Sequence, residues 1–473
     1  MTQLQGDPQQ PPFDYATVTA DAVREGCDEA VAACDAILDA IVAVPDGGRT
    51  FANTLRPLDE VGARLTLASG RFGFLGYVAT DDDLRRTALE YEQRLDTYAT
   101  SIGFREDVHA AVAAYAATDE ARALEGVDAR LLDRVLRDYR RNGFGLPPDR
   151  RGRVQELKER LVAIGVEFRR NIDEWDDGLL LTREELDGLP DSYIERLRSV
   201  ETPEGPRYRV SLDYPEFYPF MESAHREDLR RELFLKNHNK AAELNMPLLV
   251  EAIAARDEIA PLLGTFSWSH YAIETKMAKT PEAVTAFLLQ LERKVRVKAN
   301  ADLEELAALK RRDTGDDAAR IEIWDWRYYA QRLLKERYEV DPFAVAEYFP
   351  LDATLDGMFA LYQRLVGVRF VPVEAPRAWH PDVRLYRVED AEDGHHIGHF
   401  YMDLHPRPDK YGHAAAFMLR AGRRLEDGSY EGGVSAIVAN FTSPTADAPS
   451  LLRHSEVETL FHEFGHILHQ VMT

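Results

Sequence analysis

Two histidines and a glutamate near the end of the sequence have the types and spacing of a metal-dependent hydrolytic site. They lie in the run His462-Glu463-Phe464-Gly465-His466. In a helix, residues four apart share one face, so both imidazoles can reach a single metal ion. The residue after the first histidine is the position at which a zinc peptidase keeps its general base. The motif therefore predicts His462 and His466 as metal ligands and Glu463 as the catalytic base.

The residues around the motif predict one amphipathic helix that begins at Ser455. Ser455 and Glu458 have the spacing of a capping box, in which each side chain binds the backbone N–H group of the other residue. Glu458 also lies near the histidine face, where a carboxylate can hold a ligand imidazole, but capping explains it more simply. At about 100° per residue, the histidines lie roughly opposite a broad apolar stripe. The stripe consists of Val457, Leu460, Phe461, Phe464, Ile467, Leu468 and Val471.

A catalytic zinc site also needs a third protein ligand and an open position for water. The seven residues after His466 include no carboxylate. We therefore expect the third ligand to lie beyond Thr473, and this chain alone to be inactive or nearly so. Other histidines lie nearby in the sequence, and we interpret them as sheet, loop or cleft residues: His395, His396, His399, His413 and His469.

The composition predicts a soluble, acidic protein. The chain has 473 residues, and 82 acidic against 58 basic side chains give a formal net charge of −24. Such a surface argues against nucleic acids and anionic membranes as partners. No apolar run approaches the length that spans a membrane, and the N-terminus has no apolar signal core. Cys27 and Cys34 lie about 10 Å apart along a predicted helix, too far for a disulfide. We therefore expect a cytoplasmic protein.

The chain divides into three predicted segments. Residues 1–13 are rich in glutamine and proline and are expected to form a disordered tail. Residues 14–205 show mostly amphipathic helical patterns and predict an N-terminal helical domain. Residues 206–473 predict a catalytic domain that is incomplete at its C-terminus. Short strand patterns precede the motif helix at 385–388, 397–404, 414–419 and 434–441. The last of these, 434–441, is the best candidate for a strand at a sheet edge that pairs with an extended peptide, and the alternative is an ordinary sheet strand.

Several further stretches, taken together in order, resemble one family of zinc peptidases. They are Trp324–Tyr329, Trp379–Val383, Gly398–Leu404, Lys410–Ala415 and Glu456–His466. The chain is similar to the thimet oligopeptidase, oligopeptidase A and peptidyl-dipeptidase family from about Phe168 onward. The resemblance implies a mainly helical, two-lobed architecture with a small mixed β-sheet next to the motif helix. It also implies a deep channel that admits short peptides and excludes folded proteins.

The resemblance further implies the contents of the site. One Zn2+ ion binds His462 and His466, Glu463 is the catalytic glutamate, and the third ligand is a glutamate on a later helix. The substrate-binding tyrosines and histidine of the family lie later still. The sequence ends before these residues, so they are expected beyond Thr473.

Three functions remain open. The first is zinc-dependent hydrolysis of peptide bonds in short peptides, of the endopeptidase or the dipeptidyl-carboxypeptidase type. The alternative is a non-catalytic helical module that binds peptides or a partner. The third is a zinc hydrolase that acts on a non-peptide amide, although the sequence has no sugar or nucleotide signature. The same ligands accept cobalt or manganese, and the sequence does not predict an oligomeric state.

Overall fold

The computed structural model describes residues 11–425, 427–445 and 448–473. The chain forms two compact units. One unit holds the chain up to Val166 together with Pro350–Ser450 and Ser455–Thr473, and the other holds Glu167–Phe349 and Leu451–His454. Both are rich in helix, which confirms the prediction of a mainly helical protein. Among the described residues, no helix combines the length and the apolar character needed to cross a membrane.

The N-terminal helices are amphipathic, and their apolar faces supply much of the core of the first unit. The first helix begins after Thr19, whose hydroxyl accepts a hydrogen bond from the Ala22 N–H group at 3.2 Å. Short 3₁₀ or π turns lie at Tyr15–Thr17, Asp46–Gly48, Phe51–Leu55 and Gly73–Tyr77. In the described residues, the helices before the first strand are α1 (Ala20–Ala43), α2 (Arg56–Arg71), α3 (Asp82–Ile102), α4 (Glu106–Ala116), α5 (Asp119–Arg122), α6 (Gly126–Arg141) and α7 (Pro148–Asp173).

The second unit contains a small antiparallel sheet and a series of helices. Its strands are β1 (Gly178–Leu181), β2 (Arg198–Thr202) and β3 (Gly205–Ser211), in the order β1-β3-β2. The helices are α8 (Asp191–Ile194), α9 (Tyr214–Ser223), α10 (Glu227–His238), α11 (Ala242–Leu262), α12 (Trp268–Ile273), α13 (Pro281–Thr314), α14 (Trp326–Tyr338) and α15 (Pro342–Ala346). Leu186, Val210, Phe220 and Leu233 lie in its core.

The first unit resumes with a helix and a mixed sheet. Its elements are α16 (Leu351–Val366), β4 (Val368–Pro372), β5 (Arg384–Asp390), β6 (His396–Asp403), β7 (Ala415–Arg420), β8 (Arg423–Arg424), β9 (Tyr430–Glu431), β10 (Gly433–Val438) and α17 (His454–Met472). In the described residues, one sheet has the order β4-β5-β6-β10-β7, with β6 and β10 parallel and the other pairs antiparallel. The small mixed β-sheet that the family resemblance implies next to the motif helix is thus confirmed.

For residues 434–441 the edge position is wrong, and the alternative of an ordinary sheet strand is correct. β10 pairs with β6 on one side and β7 on the other, and every residue from Gly433 to Val438 is buried. The outer strands of the mixed sheet are β4 and β7. The sequence of β10 is nearly all apolar, which is typical of a central strand covered on both faces.

The mixed sheet and the N-terminal helices share one hydrophobic core. Tyr401 on β6 packs against Trp379 and Tyr15, with ring centroids 5.1 and 5.8 Å away. Phe13 is 3% exposed in the same core. Residues 1–10 of the predicted tail lie outside the described residues. Phe13, the last residue of that tail, packs into this core.

The domain boundary predicted after residue 205 falls within the β2–β3 hairpin, where Thr202 pairs with Gly205. The Pro- and Gly-containing stretch there is a hairpin turn. The assignment of residues 14–205 and 206–473 as domains stays a prediction, because the compact units are built from different ranges.

Candidate metal centre

The motif helix, α17, begins at His454, one residue earlier than the sequence predicts. Ser455 therefore lies inside the helix, and its carbonyl accepts a hydrogen bond from Thr459 Oγ1 at 3.0 Å. The preceding loop is held by Glu456, whose carboxylate accepts a hydrogen bond from the Thr442 N–H group at 2.8 Å. A carboxylate in the first turn also interacts favourably with the helix dipole. Glu456 thus ties the first turn of α17 to the loop that contains Thr442.

The apolar face of α17 packs on the mixed sheet, as its sequence predicts. Phe464 is fully buried. Its ring centroid lies 5.6 Å from that of Phe359 on α16, and 5.4 and 5.3 Å from those of Phe370 and Phe400 on the sheet. Aromatic pairs at these separations add to the stabilisation that comes from burial alone. This packing fixes the rotation of the helix about its axis, and so fixes the direction of its opposite face.

Two glycines of the sheet allow the end of α17 to approach closely. A methyl group at Gly398 would clash with the Gly433 carbonyl oxygen of the neighbouring strand and would also meet Val471 Cγ1 of α17 at 2.7 Å. One at Gly433 would meet the Gln470 carbonyl oxygen at 2.8 Å. Real Cβ atoms do not approach other atoms so closely. The absence of a side chain at both positions therefore permits the contact between helix and sheet.

The two motif histidines lie on the exposed face of α17 with their rings together. His462 Nε2 and His466 Nε2 are 3.2 Å apart, and both residues are exposed. Two imidazole nitrogens that share a tetrahedral zinc ion with Zn–N bonds of about 2.0–2.1 Å lie about 3.3 Å apart. The spacing of the pair therefore suits two of the ligands of one zinc ion. The same separation also suits a hydrogen bond between one ring that carries a proton on Nε2 and one that does not.

The surroundings of the pair leave room on the helix surface. Glu463 is half-buried beside the exposed histidines. Apart from the nearby backbone of α17 itself, no described atom lies within 4 Å of a methyl group placed at Gly465, which lies between His462 and His466 in the sequence. The helix face that carries the pair is thus open to a substrate or a further protein segment.

The other nearby histidines do not complete the site. His396 and His399 lie on β6, with Nε2 and Nδ1 respectively 3.2 Å apart, and burial lowers the pKa of His396. His395 binds Asp393 in the loop before β6. In the part of the chain that the structure describes, the cluster of three or more potential ligands consists of Asp390, Asp393 and His395, and it excludes the motif pair.

Three of the stretches that carry the family resemblance meet at a buried aspartate that the sequence reasoning did not single out. Asp403, at the end of β6, accepts hydrogen bonds at 2.7 Å from Trp379, Arg407 and Lys410. Lys410 also donates to the carbonyl oxygens of His405 and Ala439 at 2.7 and 2.6 Å. The network ties the carboxyl ends of β6 and β10 together. The sequence carried one sign of this network: Trp379, Asp403 and Lys410 each lie in a separate stretch that resembles the family.

A fourth matching stretch has a similar structural role in the second unit. Asp325 is fully buried and accepts hydrogen bonds from Arg230 at 3.0 Å and Lys310 at 2.6 Å. The Arg230 guanidinium also lies 4.1 Å from the ring centroid of Tyr328. These residues join α10, α13 and α14, so the tryptophan-rich stretch around Asp325 marks an internal ionic network.

The sequence profile described as peptidase family M3 matches residues 220–473, more than half of the chain. A thimet-like oligopeptidase of Dictyostelium discoideum is 31% identical over 461 residues, which are 95% of this chain and 68% of the relative. Saccharolysin of Saccharomyces cerevisiae is 30% identical, over 89% of this chain and 61% of the relative. Oligopeptidase A of Salmonella typhimurium is 29% identical, over 98% and 69%. The chain thus spans 61–69% of the length of these relatives.

Proposed function

Because this chain belongs to peptidase family M3 and is a metallopeptidase by family, we propose that the complete protein hydrolyses short peptides with one zinc ion on His462 and His466. The observation that carries the proposal is the pair of exposed imidazole nitrogens 3.2 Å apart on α17. The relatives named as oligopeptidases support short peptides as the substrate class.

Each side chain of the motif has one role in this proposal. His462 and His466 hold the metal through Nε2, and the packing of Phe464 keeps both rings on the open face of the helix. When bound, zinc polarises the scissile carbonyl and makes a water molecule more acidic. Glu463 takes the proton of the attacking water and passes it to the leaving amine. The third ligand, which a catalytic site of this type requires, belongs in this proposal to the part that the relatives have in addition.

We also propose the cytoplasm as the location of the protein. Cys27 and Cys34 are free and buried in α1, and burial raises the pKa of Cys27 to about 12 and that of Cys34 to about 11. Thiols that remain protonated at neutral pH are poor nucleophiles, so neither cysteine is suited to disulfide exchange. A reducing compartment suits such a pair.

Zinc content and peptide cleavage, measured together on the complete protein, test the proposed function. Elemental analysis gives the zinc stoichiometry, and a quenched fluorescent peptide gives the rate. His462→Ala and His466→Ala should lose stoichiometric zinc, because each removes one of the few protein ligands. Glu463→Gln should keep zinc and lose about 100-fold or more in rate, as expected for removal of a general base. The matched control is His395→Ala, which changes an exposed histidine of another cluster and should alter neither quantity.

Three results would overturn parts of the proposal. Retained cleavage in Glu463→Gln would exclude this residue as the base. Loss of zinc in His395→Ala alone would move the metal to the Asp390–Asp393–His395 cluster. Stoichiometric zinc without any peptide cleavage in the complete protein would favour the alternative, a non-catalytic module that binds peptides or a partner.

A further inference from the structure

Phe13, Asp14 and Tyr15 form a short segment, the N-terminal clip, that is fixed to the first unit just before α1. The Tyr15 and Ala16 N–H groups both donate to the Arg377 carbonyl oxygen, at 2.8 and 3.0 Å. The Arg377 guanidinium also binds the Asp14 carboxylate, at 2.5 Å. Phe13 and Tyr15 are 3% and 4% exposed, so the clip is part of the core.

Three buried hydrogen-bond donors in and beside the clip have no acceptor in the part of the chain that the structure describes. They are the Tyr15 hydroxyl, the Tyr401 hydroxyl on β6 and the Arg71 Nε–H group at the end of α2. The two tyrosine rings pack edge to face, with centroids 5.8 Å apart. An unsatisfied buried donor costs free energy, and native structures contain few of them. Three such donors together indicate a ligand that accepts hydrogen bonds.

Two guanidinium groups give the same place a positive charge. Arg71 and Arg420, the latter on β7, lie 5.8 and 5.9 Å from the ring centroid of Phe13. Arg420 is only 9% exposed. The Glu431 carboxylate lies 3.6 Å from Arg420 but binds Arg423 more closely, at 2.9 Å. A buried cation whose charge is only partly neutralised is stabilised by a nearby anion.

Both tyrosine hydroxyls act as donors in this place. Burial raises the pKa of Tyr15 and of Tyr401, so both keep their hydrogens at neutral pH. The charge of Arg71 acts against this shift at Tyr15, and the Phe13 N–H group and the charge of Arg420 act against it at Tyr401. Each hydroxyl therefore lies close to a guanidinium group. The Phe13 N–H group approaches the oxygen of Tyr401, which leaves the hydroxyl hydrogen available for another acceptor.

This set of donors favours an anion over a water molecule. Water can accept two hydrogen bonds, but it also brings two hydrogens that need acceptors of their own in a buried site. The clip itself offers one carboxylate, Asp14, whose Oδ2 binds Arg377 and whose Oδ1 has no partner in the described residues. Arg377 lowers the pKa of Asp14, and Thr17 and the Ala16 N–H group add to this effect. The Asp14 carboxylate thus turns toward these groups rather than toward the three donors.

We propose that Tyr15, Tyr401 and Arg71 bind one small monovalent anion of the size of chloride, and that Arg420 adds positive charge to the site. The anion accepts the two O–H hydrogen bonds and the Nε–H hydrogen bond. Because these donors belong to the clip, to β6 and to α2, the anion fastens the clip to both elements. None of the four groups belongs to the motif helix, so the inference does not rest on the proposed function.

Amide hydrogen exchange of the clip in chloride tests the proposal. The Tyr15 and Ala16 N–H groups report on the clip directly, because both are held by the Arg377 carbonyl oxygen. In the complete protein, sodium chloride should slow their exchange relative to sodium gluconate at the same ionic strength. At a chloride concentration of about ten times the Kd, the slowing should be about tenfold, because the anion binds only the closed clip.

Single hydroxyl deletions separate the site from a general effect of salt. Tyr15→Phe and Tyr401→Phe each remove one donor and keep the ring, and each should reduce the slowing by chloride to about twofold or less. The matched control is Tyr115→Phe on α4. Tyr115 is also a buried tyrosine whose hydroxyl has no partner in the described residues, but it is not part of the site. This variant should keep the full effect of chloride.

Bromide can replace chloride and scatters anomalously, so crystals of the complete protein grown in bromide should show an anomalous peak between the Tyr15 and Tyr401 hydroxyls. Equal exchange of the clip in chloride and gluconate would overturn the proposal and leave water as the occupant. A bromide peak without an effect of chloride on exchange would mean binding at crystal concentration only, which would also overturn it. So would an equal response to chloride in Tyr15→Phe, Tyr401→Phe and Tyr115→Phe. None of these readouts requires zinc or turnover, so failure of the proposed function would not be mistaken for failure of this inference.

Discussion

We expect Asp403→Asn to destabilise the mixed sheet by about 3–5 kcal/mol, the usual cost of removing one partner from a buried ionic network. The Asp403 side chain is almost fully buried, and Arg407 and Lys410 donate to it with side chains only 11% and 0% exposed. Asparagine would keep one acceptor oxygen and turn an NH2 group toward these donors. Two buried cations would then lack a counter-ion, which is the physical source of the penalty.

Asp352→Asn provides a matched control in the same unit. Asp352 accepts a hydrogen bond from Arg384 at 2.8 Å, but the two side chains are 78% and 43% exposed. Solvent screens such a pair, so its loss should cost no more than about 1 kcal/mol. The comparison changes the same functional group in both variants and differs mainly in burial.

Amide hydrogen exchange of β6 and β10 measures both effects locally, without requiring the whole chain to unfold in one step. Asp403→Asn should accelerate exchange of these strands about 100-fold or more, whereas Asp352→Asn should accelerate it about fivefold or less. Equal acceleration in the two variants would refute the reasoning, because burial would then have no influence on the energy of the network.

The network also gives the stability of the sheet a pH dependence of definite sign. Burial by itself raises the pKa of Asp403, but the hydrogen bond from Arg407 and the charges of Lys410 and Arg407 outweigh it and hold the pKa below its usual value. Such a carboxyl adds stability above its unfolded pKa of about 3.9 and loses it as the pH falls through the folded value. Protection of β6 should therefore fall more steeply below about pH 4 in the parent than in Asp403→Asn.

Three further changes probe the packing around the site. Phe464→Ala should lower the free energy of unfolding, measured in urea, by about 3–5 kcal/mol, and it should also weaken zinc binding. Unchanged zinc affinity would show that other contacts position the helix. Gly398→Ala would press a methyl group against the Gly433 carbonyl oxygen and place it 2.7 Å from Val471, so the Tm should fall. Gly412→Ala, with nothing within 4 Å, should change the Tm by only about 1 °C. Similar shifts in the two variants would contradict the close packing around Gly398. Asp325→Asn should accelerate exchange in α14 about 100-fold or more, and a change below tenfold would mean that its two cations find other partners.

Tertiary contacts decided the features that the sequence reasoning placed wrongly or missed. Residues 434–438 have the apolar pattern of a strand, but this local pattern does not say which strands pair with them. One of the partners, β6, lies more than 30 residues earlier in the chain. The pairing, and hence the loss of the predicted edge, is a non-local property. The same holds for Phe13, which belongs to a glutamine- and proline-rich segment and is buried only because Tyr15 and the N-terminal helices surround it.

The motif helix and the relation of its residues follow from local sequence, because the 3.6-residue period places positions 462 and 466 on one face opposite Phe464. The mainly helical character and the strands that precede this helix follow from local patterns as well. What holds these elements in place depends on the fold: the central position of β10, the hydrogen bonds of Glu456 to the Thr442 loop and the burial of Asp403 among cations. Such contacts join residues distant in the chain, and their energies depend on burial and on partners that no local pattern specifies.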